Sequence, residues 1–374
     1  MRIALGIYRL QPRGGLEDNC IRIAEELARR GHEPTVVLAG PHADLPFPIK
    51  TVSLAPGAFS SHARLGAFSR AFSQATRERF ERTVAFQLMP DADILFIADA
   101  LRDNPGAPLV KRLTPRFQAF ARLERACFGP DAKIRIIGQA LPQMKAFVDR
   151  YPASRERIAV IPPAIAAARH RPELRERLRA RTRKALGLNE LAQTWLWLGL
   201  QPEIKGLDRV IETLPEHPET SLLIGGLTAT DPKMRKHLAR ARQLGVDGRI
   251  HCLGYVSGDK FFEVLAAADA LAHPARTEIA GAVIIEALAN GLPVVTTDIC
   301  GFAEHVEKSG AGRVVHGPFD RSSFSRYLGE VCGAANASLS KLGIAYGADP
   351  KLYSGIGAAC DLIEAESWSP RCDV

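Results

Sequence analysis

The sequence predicts an α/β protein built from two Rossmann-like domains, each with a doubly wound parallel sheet. Three observations carry this reading. Short β-branched runs alternate with amphipathic segments along most of the chain. The alternation runs twice, and the runs are parted at Ile161-Pro162-Pro163-Ala164, where consecutive prolines suit neither a helix nor an inner strand. The chain's 374 residues, at about 150 per domain, suit two domains or three. The first domain is therefore expected over 1–164.

In the first run, 2–8 reads as a strand and 18–30 as a helix, with Ile21, Ala24, Leu27 and Ala28 at helical spacing and Gly31 as its stop. Residues 35–40 return as a strand, completing a βαβ unit, and 83–88, 94–98, 134–138 and 158–161 are further strands. An Arg-rich helical stretch, 169–184, opens the second run. Its strands are 194–200, 221–225, 250–255, 270–273, 293–297 and 313–315. Its helices are 207–214, 232–244, 259–267, 280–290 and 302–308. In such folds ligands sit beyond the carboxyl ends of the strands, and a cleft between two facing domains is the default active site.

The composition, 46% hydrophobic and 24% charged, is too apolar for disorder and too polar for a multi-span membrane protein. No run reaches about 18 apolar residues, so no spanning helix is expected. The short apolar opening reads as a first buried strand and not as a signal peptide. Seven scattered cysteines without a CxxC pair argue against a disulfide framework and a zinc site, and for a cytosolic protein with reduced thiols. The formal net charge of +8 is uneven: residues 1–164 hold 24 basic and 16 acidic side chains, whereas 165–374 hold 25 of each. A basic half beside a neutral one points to an anionic partner: nucleic acid, acidic lipid or a phosphorylated substrate.

Two places carry the chemistry. Gly14-Gly15-Leu16 lies between the first strand and the first helix. There, glycines let a phosphate approach the helix N-terminus, or else serve a turn that needs positive φ. It is not the GxGxxG fingerprint. The sharper feature is a pair of glutamates eight apart. Glu278 falls in the loop after strand 270–273, and Glu286 on the following helix, whose N-terminal Ala280, Gly281 and Ala282 offer N–H groups to a diphosphate. Glu286 sits among Val283, Ile284, Ile285, Ala287 and Leu288, where a carboxylate needs a partner; capping or pairing within the core is the competing explanation.

This Glu-x7-Glu pattern, between a His-Pro strand end and Ala289-Asn290-Gly291-Leu292-Pro293-Val294, resembles the retaining glycosyltransferases of the GT-B fold, family 4. Gly14-Gly15-Leu16, Met89-Pro90, Arg112-Leu113-Thr114, 120–128, Ile161-Pro162-Pro163, Lys205-Gly206, Asp208-Arg209 and Cys300-Gly301-Phe302 extend the resemblance nearly end to end, toward the lipopolysaccharide core glucosyltransferases. The resemblance implies that Glu286 binds the ribose of a nucleotide sugar and Glu278 contacts the donor sugar. Lys205 would neutralise the diphosphate as the bond to the anomeric carbon breaks. Gly14, Gly15 and the amides after Ile279 would approach the same phosphates, and Asp99 matches an acceptor-side position. It further implies front-face attack with the leaving phosphate oxygen helping to deprotonate the acceptor, and no obligatory metal. The closing segment, 352–368, resembles a helix that crosses back to the first domain. The second domain then spans 165–347, and closure is a rigid-body motion that excludes water.

Two departures stand out. Relatives place an Arg shortly before or beside the Lys; here Leu200, Gln201, Pro202, Glu203 and Ile204 supply none. Either Arg13, Arg209 or Arg276 reaches in, or donor use is altered. Asn19 follows Asp18 where the nearest relatives carry Asp. Other signals weigh less. Asp91-Ala92-Asp93 looks like a DxD metal motif but leads into a strand, and Trp195 and Trp197 read as core. His273 either contacts the donor or finishes its strand on backbone, and His251 reads as a strand histidine.

Residues 101–128 hold six basic and two acidic side chains, half of the net excess. Phe117, Phe120, Ala121 and Leu123 make an apolar stripe flanked by Arg116, Arg122 and Arg125, suited to an anionic membrane interface together with Lys111 and Arg112. The alternative is a helix packed on its own sheet with a solvated basic face. Nucleic acid is not expected, since the basic residues are not interleaved with stacking aromatics. The expected protein is thus peripheral on the cytoplasmic face of the inner membrane. It moves a hexose, glucose from UDP-glucose, onto the heptose of a lipid-linked lipopolysaccharide core. A glycosyltransferase making another glycolipid or capsule sugar, or an impaired nucleotide-sugar-binding scaffold, are the alternatives.

Overall fold

The computed structural model describes residues 1–10, 14–39, 49–55, 57, 61–104, 106, 108–189 and 192–368. The chain divides into two compact units, Met1–Ala164 with Tyr353–Val374, and Ile165–Leu352.

The first unit contains β1 (Arg2–Ile7), α1 (Gly15–Arg29), β2 (Glu33–Leu38), β3 (Lys50–Ser53), α2 (Ser61–Thr76), β4 (Arg82–Ala85) and β5 (Ile94–Phe96). It continues with α3 (Leu109–Arg112), α4 (Pro115–Phe128), β6 (Arg135–Gly138), α5 (Leu141–Arg150) and β7 (Ile158–Val160). Its sheet runs β3-β2-β1-β4-β5-β6-β7, all neighbours parallel. A parallel sheet is covered on both faces, so its strands are apolar throughout. Ile3, Leu5 and Ile7 are fully buried on one face and Ala4 on the other.

The second unit contains α6 (Leu174–Ala185), β8 (Thr194–Leu198), α7 (Leu207–Thr213), β9 (Ser221–Gly225), α8 (Arg235–Gln243), β10 (Ile250–Gly254) and α9 (Asp259–Ala267). It goes on through β11 (Ala270–His273), α10 (Ala282–Ala289), β12 (Val294–Thr297), α11 (Ala303–Ser309), β13 (Gly312–Val315), α12 (Arg321–Cys332) and α13 (Asn336–Gly347). The sheet order is β10-β9-β8-β11-β12-β13, again parallel. In each unit the order reverses once, between β1 and β4 and between β8 and β11. Ligands of open α/β sheets bind at such switch points.

The last helix, α14 (Gly355–Glu364), belongs to the first unit. Ala359, Cys360 and Ile363 pack with Ile23, Ala24 and Leu27 of α1. Arg30 donates to Asp361 at 2.8 Å and Glu364 at 2.9 Å, and His32 meets Glu364 at 2.8 Å.

Several expectations are corrected here. The helix read over 169–184 is a short turn at Ala167–Arg169 followed by α6, with Pro172 lying in the break. The helix read from residue 280 starts at Ala282, because Gly281 has φ of 90° and lies outside the helical region. Helix α13 was not anticipated, since Gly343 and Gly347 weaken its helical signal. Both are needed: a Cβ at Gly347 would lie 2.6 Å from Ala289 Cα, and one at Gly343 2.5 Å from the Leu288 carbonyl oxygen. Strand β3 and helices α2, α5 and α12 also escaped the sequence reading. Trp195 and Trp197 are fully buried, as core. Asp93 accepts from the Thr83 amide at 2.8 Å and hydroxyl at 2.9 Å, which ties β5 to β4. The six described cysteines are free, and no described helix is long and apolar enough to cross a membrane.

Phe128 ends α4 fully buried, its ring stacked on Phe147 at 4.3 Å. Phe128→Ala is expected to lower stability by about 3–5 kcal/mol, measured by urea unfolding followed by circular dichroism.

Candidate active site

The loops after β8 and β11 emerge side by side at the switch point of the second sheet, and each carries one charged residue of the site. After β8, the chain turns through Gln201–Gly206, with the Lys205 amide donating to the Gln201 carbonyl at 2.9 Å. The buried indole of Trp197 donates to the Lys205 carbonyl at 3.0 Å, so the strand's own core residue fixes the turn. Gly206 follows with φ of 70°, and a Cβ there would collide with the Pro274 carbonyl oxygen. Only glycine lets the two loops approach this closely.

After β11, the loop is fastened from two sides. Arg276 spans to the first loop, its amide donating to the Ile204 carbonyl at 2.7 Å and its guanidinium to the Glu203 carbonyl at 2.9 Å. The segment after β12 pairs with it in parallel: Glu278 bridges Cys300, the Gly301 amide donates to the Glu278 carbonyl at 3.2 Å, and the Phe302 amide to the Ala280 carbonyl at 2.8 Å. Ile279 and Ala280 lead into Gly281, the residue before α10, and Ala282 opens the helix, whose first amides have no partner within it.

These loops bring Lys205, His273, Glu278 and Cys300 together. Glu278 Oε2 pairs with the Lys205 ammonium and lies 3.0 Å from His273 Nε2. His273, at the end of β11, is 1% exposed. Burial opposes its charge, but the Cys300 thiol and the Glu278 carboxylate beside it outweigh that and raise its pKa to about 9. Burial likewise opposes ionisation of Glu278, yet His273 and Lys205 hold its carboxyl down at about 2. The Cys300 thiol, which lies 3.2 Å from Thr296 Oγ1, is lowered by His273 against the effect of burial. The Lys205 and His273 side chains thus face Glu278 beside the N-terminus of α10, a setting that suits an anion.

Glu286 on α10 keeps only 17% of its side chain exposed and pairs with Arg169 Nε at 3.7 Å. Arg169 lies over the Phe261 ring at 4.3 Å, and Asn290 holds its carbonyl at 2.7 Å. The partner that the sequence demanded for Glu286 is thus an arginine from the turn before α6, whose function sequence reasoning missed. Of the candidate replacement arginines, Arg276 is bound in a fork to Asp208 at 2.7 and 2.6 Å. Arg209 donates to the Pro274 carbonyl at 3.0 Å and stacks 3.9 Å from Phe319. Both brace the loops. Arg13 lies outside the described residues.

In the first unit, Gly14 precedes α1 with φ of −111°, so no positive φ explains the Gly14-Gly15 pair. A Cβ at Gly14 would strike the Glu17 carboxylate, whereas one at Gly15 would meet nothing within 4 Å. The Gly15 backbone is open to an approaching group. Asn19 is buried and donates to Gln139 at 3.2 Å. Asp99 lies three residues beyond β5, half-exposed, paired with Arg102 at 3.1 Å.

The basic stretch also differs from expectation. Phe120 and Leu123 pack on the unit's core, Ala121 is buried, Phe120 lies under the Arg102 guanidinium at 4.4 Å, and Phe117 is only half-exposed. The stripe of α4 thus faces its own sheet. Lys111, Arg116 and Arg122 are exposed and Arg112 half-exposed, and the bare apolar residues lie at the preceding turn: Leu109, Val110 and Leu113 are 73%, 81% and 77% exposed. Among the described residues no group of three or more His, Cys, Asp or Glu is arranged to hold a metal ion.

Residues 170–332 match the family model described as glycosyl transferases group 1. The chain is 32% identical over 338 residues to the lipopolysaccharide glucosyltransferase WaaG of Escherichia coli (strain K12), spanning 88% of each. It is 28% identical over 241 residues to the D-inositol 3-phosphate glycosyltransferase of Nocardia farcinica, over 62% of this chain and 52% of that one. The crystal structure of WaaG, a glycosyltransferase involved in lipopolysaccharide biosynthesis, superposes with a TM-score of 0.88 and 29% identity, covering 97% of this chain and 100% of that one. Anabaena HepE in complex with UDP and glucose shares the fold, with a TM-score of 0.73 and 19% identity over 96% of this chain and 99% of that one.

The cluster makes a titration testable. His273 is expected to keep its proton through neutrality and lose it as pH climbs through about 9, seen by imidazole NMR. Because the folded value is raised above the unperturbed one near 6.5, the stability it contributes is complete below about pH 6.5 and fades as pH rises through about 9. Glu278→Gln should bring the His273 midpoint down, since it removes an anion that favours the charged ring.

Proposed function

Because this chain belongs to the glycosyl transferase group 1 family, we propose that it is a lipopolysaccharide glucosyltransferase that moves glucose from UDP-glucose to the heptose of the inner core. The observation that carries the chemistry is the buried Lys205–Glu278–His273 cluster beside the N-terminus of α10. Breaking the bond between the anomeric carbon and the diphosphate leaves negative charge on the phosphate oxygens. Lys205 and His273, already placed by their pairing with Glu278, meet that charge with little reorganisation. The sugar end of the donor lies toward Glu278 and the ribose toward Glu286. Gly15 leaves room for the phosphates, and Asp99 contacts the acceptor. The acceptor attacks from the face the diphosphate leaves, and a phosphate oxygen takes its proton, which retains the anomeric configuration. With Lys205 and His273 supplying the positive charge, the reaction needs no metal. The identity to WaaG, which runs over 88% of both chains, supports lipopolysaccharide as the acceptor class.

Purified protein given heptose-bearing core acceptor should turn over UDP-glucose faster than GDP- or ADP-sugars, with the glycosylated product identified by mass. Glu278→Ala and Lys205→Ala should each lower kcat/KM by about 10²–10³-fold, the loss typical of one charge-stabilising group. No transfer with any donor by the intact protein would leave the scaffold reading standing.

The acceptor's lipid places the enzyme on an anionic membrane surface, and Leu109, Val110 and Leu113, set among Lys111, Arg112 and Arg116, are the residues that enter it. Anionic vesicles should co-sediment the protein better than neutral ones, at about 1 kcal/mol per cation. Replacing the three apolar residues by Ser, or the three basic ones by Glu, should each release it.

A further inference from the structure

Helix α4 carries one charged residue on its buried side. Glu124 is 1% exposed, in a helix whose other buried residues are Ala121, Cys127 and Phe128. A carboxylate there is costly unless it is well partnered, and a residue that only filled space would be apolar. Its partners lie more than twenty residues earlier in the chain. The Arg102 amide donates to Glu124 Oε2 at 2.8 Å and the Asp103 amide to Oε1 at 3.0 Å. The Tyr151 hydroxyl oxygen lies 3.4 Å from Oε1, its proton directed to the nearer Asp103.

What Glu124 holds is the segment that carries Asp99. Arg102 donates to Asp99 Oδ1 at 3.1 Å, while its guanidinium lies 4.4 Å from the centre of the Phe120 ring, one turn before Glu124 on the same helix. Beyond it, Asp103 is locked by Arg150 Nη2 at 2.6 Å and the Tyr151 hydroxyl at 2.9 Å. On the near side, Gln143 donates to the Asp99 carbonyl at 2.8 Å. The Asp99 backbone is thus fixed by α5, while its carboxylate is aimed through Arg102, whose amide and ring contact both come from α4.

We infer that Glu124 is a positioning residue for acceptor transfer: by holding the Arg102 and Asp103 amides it sets the arginine that orients the Asp99 carboxylate. This rests on the reading of Asp99 as the acceptor-side group. It also gives α4, next to the exposed apolar turn, a direct mechanical link to the acceptor position, which neither the basic face nor the core packing of α4 requires.

The test uses the full chain with Glu124→Gln, which keeps the size but replaces one accepting oxygen by a donor, and Glu124→Asp, which keeps the charge and shortens the reach. Transfer to the core acceptor should fall about tenfold or more in Glu124→Gln, with the KM for UDP-glucose and the slow hydrolysis of UDP-glucose by water changed less than twofold. In an Asp99→Asn background, Glu124→Gln should add less than a further twofold loss. Hydrogen–deuterium exchange of the amides at 102–103 should quicken at least tenfold, with β5 and α4 unchanged. Equal losses of hydrolysis and transfer, independent effects of the two substitutions, or unaltered exchange at 102–103 would overturn the inference. So would unfolding of both variants, which would make Glu124 a structural residue. If the unmutated protein transfers glucose to no acceptor, the functional reading fails instead, and the exchange measurement still decides whether Glu124 holds the segment.

Discussion

A carboxylate buried between two cations is the constraint around which the second unit is organised. Glu278 can stay ionised away from water only because Lys205 and a protonated His273 share its charge. That triple must be assembled from two loops that are 73 residues apart in sequence. The strand order solves this, since β8 and β11 are neighbours at the point where the sheet reverses. The remaining features follow from bringing the loops into contact: Gly206 removes a side chain that would strike Pro274, Arg276 ties loop to loop, and the bridge from Glu278 to Cys300 fixes the far side. The Thr296 hydroxyl lies within reach of two members, 3.0 Å from the His273 carbonyl oxygen and 3.2 Å from the Cys300 sulfur, and its single proton goes to one of them.

The two units divide the charge in different ways. In the second unit, 24 basic against 21 acidic side chains leave only a weak general field, so a few placed groups at the switch point decide where an anion sits. In the first unit the excess is spread over an exposed surface around 109–125, while the carboxylates Glu124 and Asp103 are turned inward to hold a loop. Surface cations attract an anionic partner over roughly a Debye length. Buried pairs set geometry to tenths of an ångström.

Most of the fold was legible because both sheets are parallel and buried on both faces, which makes each inner strand a short continuous apolar run. The runs 221–225 and 270–273 match β9 and β11 residue for residue. What escaped was set by tertiary contacts. Helix α13 carries glycines that local propensity penalises but that close packing on α10 demands. The apolar stripe of α4 was visible, yet periodicity alone cannot say whether such a stripe meets a membrane or the helix's own sheet. Packing of Phe120 and Leu123 on the core decides for the sheet, and the exposed apolar residues prove to be a turn earlier. At the site, Glu278 came from its motif and Lys205 from the family resemblance, while His273 was left open between a donor contact and a strand end; the structure brings the three side chains together. Arg169 and Glu124 were not found, since their importance lies in long-range pairings that leave no local pattern.

The arginine missing before Lys205 looks at first like a lost cation, and Arg209 and Arg276, the two candidates among the described residues, are both committed elsewhere. Arg209 and Arg276 are each tied to loop carbonyls, and Arg276 to Asp208 as well. Withdrawing either toward a phosphate would loosen the loops that hold Lys205 and Glu278 in place. The second positive charge of the cluster instead comes from His273. An imidazole is a conditional cation, and here the condition is met by its neighbours: Cys300 and Glu278 raise its pKa to about 9 against the burial that opposes charge. An arginine would bring its charge regardless of context. A histidine brings it only where its neighbours favour the charged ring, as Cys300 and Glu278 do here, so this positive charge depends on the assembly of the cluster.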